Sequence, residues 1–257
     1  MTTRRSRFTA FLAAALFVAA CGDDGGAVVT PTTPTTTTVA STTTSSAVAT
    51  TTTVVDTTTR GPRVYPQDAL DYFVEVAFGP EFGGGSPEIR KWTQDVRISV
   101  NGDPDAADLE ALDAVIADLN ALIGPIRIEI VEVYANVDLW FAPEAEFSEI
   151  EPNYVPVNMG FFWVYWSPER AITSSRVLIS TTGLTQAERN HIIREEVTQS
   201  LGLMNDSYSY EDSTFYQGWT ETQAYSVIDE FVIEMLYLAE ILPGMDVDEA
   251  LAVLTGG

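Results

Sequence analysis

Apolar side chains recur along this chain at two spacings, and each spacing predicts a kind of element. Ala69, Leu70, Phe73, Val74 and Ala77 fall three and four apart, which predicts a helix over 66–78. Leu109, Leu112, Val115, Ile116, Leu119 and Leu122 predict a longer helix over 106–123, stopped by the breaker pair Gly124-Pro125. Alternation around Val96, Ile98 and Val100 predicts a strand over 92–100 that turns at Asn101-Gly102. Ile126, Ile128 and Ile130 predict another over 126–134. Shorter strands are expected at 137–141, 160–166 and 176–181. Helices then take over, at 186–201, 220–238 and 247–254, with a loop at 205–218. Strands early and helices late describe an α+β domain.

The helix expected at 186–201 breaks its own pattern. With His191 at 0° and about 100° per residue, the apolar arc runs from about 100° to about 280° and takes in Ile192, Ile193, Val197, Leu201 and Leu203. Glu196 falls at about 140°, inside that arc, while Glu195 and Gln199 border it beside His191. A carboxylate in an apolar arc must be paired, protonated or directed into a cleft. Two outcomes stay open. One is a structural ion pair with an arginine from a neighbouring strand, Arg97 or Arg176. The other is a carboxylate of raised pKa, fit for general acid or base chemistry.

Composition narrows the chemistry. The 257 residues carry 37 acidic and 13 basic side chains, one Cys and one His. A disulfide framework is excluded, as is a zinc site of the Cys₂His₂ or His₃ type. The acid excess argues against a nucleic-acid partner, which needs clustered Lys and Arg. Residues 30–59 contain 17 Thr and cannot build a core.

The beginning of the chain reads as an export signal over 1–20. Arg4, Arg5 and Arg7 precede an uncharged apolar stretch, too short to span a bilayer as a mature helix. It ends in Val18-Ala19-Ala20-Cys21, which is similar to the bacterial lipobox, where the cysteine is acylated and becomes the mature N-terminus. Cys21 is thus the expected lipid-attachment point, and the expected location is the extracytoplasmic face of the cell membrane. An acidic protein is repelled by anionic lipid, so the lipid would hold it there. Residues 21–62 follow as a disordered Thr/Ser/Pro-rich tether of roughly 35 Å mean span, leaving 63–257 for one globular domain. Thr density there invites O-glycosylation. Gly83-Gly84-Gly85 has no phosphate-binding Lys after it and reads as a flexible turn. The run from Phe161 to Trp166 reads as core plus a half-exposed face, or as a ligand platform. The stretch 207–212 reads as a hydrophilic wall of a cleft.

The segment Glu195-Glu196-Val197-Thr198-Gln199-Ser200-Leu201-Gly202-Leu203 resembles the H-E-x-x-H-x-L-G-L helix of the metzincin metalloproteases. Glu196, Leu201, Gly202 and Leu203 match; Glu195 and Gln199 stand where that family has its ligand histidines. The third ligand position is Asn205, followed by Asp206. The strand at 176–181 precedes the helix as the edge strand does in zincins. A later helix with Asp229 and Leu236-Tyr237 is similar to the last helix of the matrix metalloproteases, and Phe215 takes the place of the Met-turn. A closer resemblance is to a family of bacterial lipoproteins of unknown function. It shares E-E-x-x-Q-x-L-G-L followed by N-D-S, here Asn205-Asp206-Ser207, and a segment similar to Leu242-Pro243-Gly244-Met245.

The resemblance implies a zincin-like domain with a mixed sheet, an active-site-type helix and C-terminal helices. Glu195, Gln199, Asn205 and Asp206 would form an all-oxygen set suited to Ca²⁺, Mg²⁺ or Mn²⁺, with zinc disfavoured. Glu196 would be the catalytic general base. In a variant, His191 and Glu195 hold zinc together; in the plainer reading His191 pairs with Glu195 across one turn. Three functions follow: a degenerate protease-like domain that binds a peptide or cell-wall ligand, an active metal-dependent hydrolase, and a structural or assembly lipoprotein.

Overall fold

In the computed structural model the described residues are 64–79 and 86–256, and they fall within one compact unit, Thr58–Gly257. The export signal, Cys21, the tether and the triple glycine lie outside the described residues. Helix α1 (Gln67–Ala77) comes first, then strands β1 (Lys91–Trp92) and β2 (Val96–Gly102), and helix α2 (Ala106–Leu122). Strands β3 (Ile128–Ile130) and β4 (Val137–Ala142) follow. A 3-10 turn and helix α3 (Phe147–Ile150) lead to the hairpin of β5 (Gly160–Trp166) and β6 (Ala171–Ser180). Helices α4 (Gln186–Gln199), α5 (Val227–Leu236) and α6 (Val247–Thr255) complete the chain. No helix among the described residues is long and apolar enough to cross a membrane.

The strands form one sheet in the order β1-β6-β4-β2-β3, with every pairing on that path parallel. Strand β5 runs antiparallel beside β6. Mixed α and β elements in a single domain and a mixed sheet agree with the expectation. The sheet is mostly parallel, because helices and long crossovers, not hairpins, join most of its strands. One detail differs: the strand before α4 is not an edge. β6 is flanked by β4 and β5, and β5 is the antiparallel strand at the margin.

Local chemistry sets the boundaries. Helices α2, α4, α5 and α6 each open with a reciprocal capping box, at Asp105/Asp108, Thr185/Glu188, Ser226/Asp229 and Asp246/Glu249. The box at Ser226 explains why α5 starts seven residues later than the periodicity at 220–238 implied. The strand expected over 92–100 is broken because Asp95 leaves the ladder to accept from the Arg127 N–H at 2.9 Å. The strand expected over 126–134 shrinks to three residues. Asn120 occupies both backbone groups of Ile128 with its side-chain amide, and Ile130 is solvent-exposed.

The main core lies between the sheet and the helices. α2 packs along α4, α4 against β5 and β6, and α1 against α5. A smaller cluster of Ala142, Phe147, Phe161 and Leu178 covers part of the opposite sheet face. The aromatic run divides as strand geometry requires: Phe162 and Val164 enter the main core, while Tyr165 is exposed.

Candidate functional site

Helix α4 is buried on nearly every side, including polar His191, Arg194, Thr198 and Gln199. Its two arginines turn toward α2. Arg189 bonds to Asp108 at 3.2 Å, and Arg194 pairs with Asp118 at 2.9 Å while stacking over the Tyr225 ring. Glu188, Glu195, Glu196 and Gln199 turn the other way. There they floor a cleft of about 190 Å³, lined by Glu188, His191, Ile192, Glu195, Glu196 and Gln199. Residues 158–162, at the start of β5, form one wall. Asp206 and residues 216–220 of the long loop form the rest.

Glu196 sits where the helical arc placed it, 8 % exposed and against the edge strand. A Cβ at Gly160 would collide with the Glu196 carboxylate and with Ile192, so only glycine lets the helix and β5 approach this closely. Arg176, one suggested partner, is bound instead to Glu151 at 3.2 Å and does not line the cleft. Glu195 contacts His191, with Nε2 and Oε2 3.5 Å apart. The other ring nitrogen, Nδ1, lies 2.7 Å from the Thr222 carbonyl and must donate to it. A favourable Nε2 contact with Glu195 therefore needs a proton between the two. Burial holds the imidazole pKa below its ordinary value, with the nearby Arg194 adding to that, so the neutral ring is favoured.

Gln199 and Asp206 form a second unit. The Gln199 amide donates to one Asp206 oxygen at 2.5 Å, and Gln217 donates to the other at 2.9 Å. Burial raises the Asp206 pKa, an effect the Gln199 bond partly offsets. The next residue, Ser207, forms an isolated bridge with Tyr216 across the loop. Asn205 is a correction. Its side chain donates to the carbonyls of Glu75 and Phe78 at the end of α1, at 3.2 and 3.1 Å, and does not reach the cleft. The stretch 207–212 is another, since Ser209 bonds to Glu75 and Tyr210 packs on Tyr72, leaving the loop wall to 216–220. Gly202 makes the turn after the helix with φ +123°, where any Cβ would meet the Arg90 carbonyl. Phe215 is fully buried beneath the loop, held by the chain Tyr72–Ser213–Asp229, and does not line the cleft.

The oxygen set does not fit a metal ion. Asn205 faces away, both Asp206 oxygens accept from amides, and Gln199 presents its nitrogen to Asp206. No group of three His, Cys, Asp or Glu among the described residues is placed to hold one. Sequence reasoning missed Gln217, Trp219 and Glu188, which line the cleft. Trp219 is exposed and donates from its ring to Glu188 at 3.2 Å. The one available signal was the capping position of Glu188, which places it on the first turn of α4.

Among the described residues the outer margin of β5 is open. The Met159 carbonyl accepts from the Ser180 N–H, and hydrogen-bonded pairs alternate along an antiparallel ladder. The backbone groups of Phe161 and Trp163 therefore point to β6, and those of Gly160, Phe162 and Val164 point outward. Among the described residues no strand pairs with that edge.

The family model that matches the chain, described as protein of unknown function (DUF2927), covers residues 66–256. A comparison with curated protein sequences gives no match. Two solved structures of myroilysin are similar at 10 % identity. One has a TM-score of 0.36 over 57 % of this chain and 95 % of that one; the other has 0.38 over 69 % and 98 %. Likeness that slight leaves the fold to rest on its own strands and helices.

Proposed function

The chain belongs to DUF2927, a family of unknown function, and from that premise we propose that it is a lipid-anchored, extracytoplasmic binding protein whose cleft receives an extended peptide. One observation carries this reading: the outward backbone groups of Gly160 and Phe162 lie at the wall of a cleft that helix α4 floors. An incoming strand would add to β5 through its main chain and place alternate side chains in the cleft. Chain binding, and not metal-dependent hydrolysis, suits a site in which Asp206 is tied to two amides and Asn205 faces α1. Any cell-wall ligand would enter through its peptide portion.

Hydrogen exchange on the full chain tests it. A short extended peptide that binds should protect the amides of Gly160, Phe162 and Val164 above all others. Protection confined to other elements would sink the reading. Anchoring is tested separately: wild type should fractionate with membranes, and Cys21→Ala should be released.

A second reading draws on the proton that the His191–Glu195 contact requires. A buried imidazole beside a carboxylate is a proton-transfer pair, and Glu196 lies one residue on as a second carboxylate. Under that reading the bound peptide is also cut, and mass spectrometry of peptides after long incubation with the protein distinguishes the two.

A further inference from the structure

We infer that residues 218–221 form a strap latched across the cleft, which must swing aside before an extended peptide can add to β5. Such a strap regulates entry to the site of the strand-addition reading above, and it rests on that reading. The cleft holds about 190 Å³, less than the roughly 300 Å³ at which ligand sites begin, so one wall has to yield. Helix α4 is buried on nearly every side and cannot shift without unpacking the core. Strand β5 is paired with β6 from Gly160 to Trp166. That leaves the loop wall. Its last main-chain tie is the Gln217 N–H, which donates to the Ser207 carbonyl at 2.8 Å. Among the described residues no backbone–backbone hydrogen bond holds the chain from Gly218 to Tyr225. Both ends of the segment are moored in the interior. Phe215 is fully buried before it, and after it the Thr222 carbonyl accepts from His191 at 2.7 Å and Tyr225 meets Thr198 at 2.6 Å. Between these moorings two solvent-exposed side-chain bonds hold the wall in place. Gln217 donates to Asp206 at 2.9 Å, and the Trp219 indole N–H donates to Glu188, on the first turn of α4, at 3.2 Å. The Trp219 ring is 66 % exposed, so that bond, more than packing, keeps it against the floor. Water competes for an exposed bond of this kind, and segments with few buried contacts open first. Because Trp219 and Glu188 both line the cleft, their bond joins wall to floor and is the latch.

Selective ¹⁵N labelling of tryptophan in the purified full chain gives one indole N–H signal for each of the five Trp, and the signal lost in Trp219→Phe belongs to the latch. That signal should show microsecond-to-millisecond exchange in relaxation dispersion. The indole of fully buried Trp92, which donates to the Ser200 carbonyl, should not. Glu188→Gln keeps a side chain able to cap α4 but removes the charged acceptor, so it should move the Trp219 signal toward that of indole in water. The kinetic probe is a fluorescein-labelled hexapeptide of alternating valine and threonine. It should associate about fivefold faster with Glu188→Gln and with Trp219→Phe than with wild type, the factor expected for losing a hydrogen bond of modest net strength. A Trp219 signal without exchange and unmoved by Glu188→Gln overturns the strap. So does an association rate that is the same in wild type and both variants. If the hexapeptide binds none of the three proteins, the strand-addition reading falls, and the indole signal alone then decides whether the strap opens.

Discussion

At the scale of single residues, Gly160 and His191 set the terms of the cleft. Gly160→Ala forces a methyl against Glu196 and Ile192, and overpacking of that kind costs about 1–3 kcal/mol. Chemical denaturation should report that loss. His191 makes stability depend on pH. Its folded pKa lies below the ordinary 6.5 because burial disfavours the imidazolium, so the unfolded chain binds the extra proton first. The contribution is complete above pH 6.5 and is lost as the pH falls through the folded value. His191→Gln should remove that part of the slope, seen as a flatter midpoint-against-pH curve on the acid side of neutrality. The helical arc alone put Glu196 inside the apolar face and set Glu195, Gln199 and His191 along its border, without deciding between an ion pair and a cleft. It could not place Asn205, whose partners lie about 130 residues earlier on α1. Nor could it find Gln217 or Trp219, which sit in a loop with no period to read.

At the scale of elements, the joint between α2 and α4 positions the site. Asp108 is fully buried, closes the α2 capping box, and accepts from both Gln186 and Arg189 of α4. Asp108→Ala would leave the half-buried Arg189 without its main partner, at a cost of about 3 kcal/mol. Urea unfolding should show that drop. Asp105→Ala, on the exposed side of the same cap, should cost only about 1 kcal/mol. Most helix starts were legible because the apolar periodicity begins where the helix does. The start of α5 was not, because 220–225 hold no Gly or Pro to break a helix, yet they serve α4: Thr222 accepts from His191, and Tyr225 meets Thr198 at 2.6 Å. Strand direction was also beyond reach, since alternation marks a strand but not the partner it lies beside.

At the scale of the whole molecule, charge is the dominant fact. Residues 61–257 hold 34 acidic and 9 basic side chains, and self-repulsion of that size works against the compact state. Raising salt from about 10 to about 150 mM shortens the screening length from about 30 to about 8 Å, so the melting temperature should rise over that range. A flat or falling curve would mean that local pairs such as Arg194–Asp118 outweigh the global field. The bonds of Asn205 to the end of α1 have one more consequence, for anyone who would engineer a metal centre into this cleft. Grafting histidines at 195 and 199 would supply two ligands and strip Asp206 of its Gln199 donor. The natural third position would still face α1, moored by two carbonyls. The obstacle to such a graft lies in the loop after the helix, so that loop must be redesigned first.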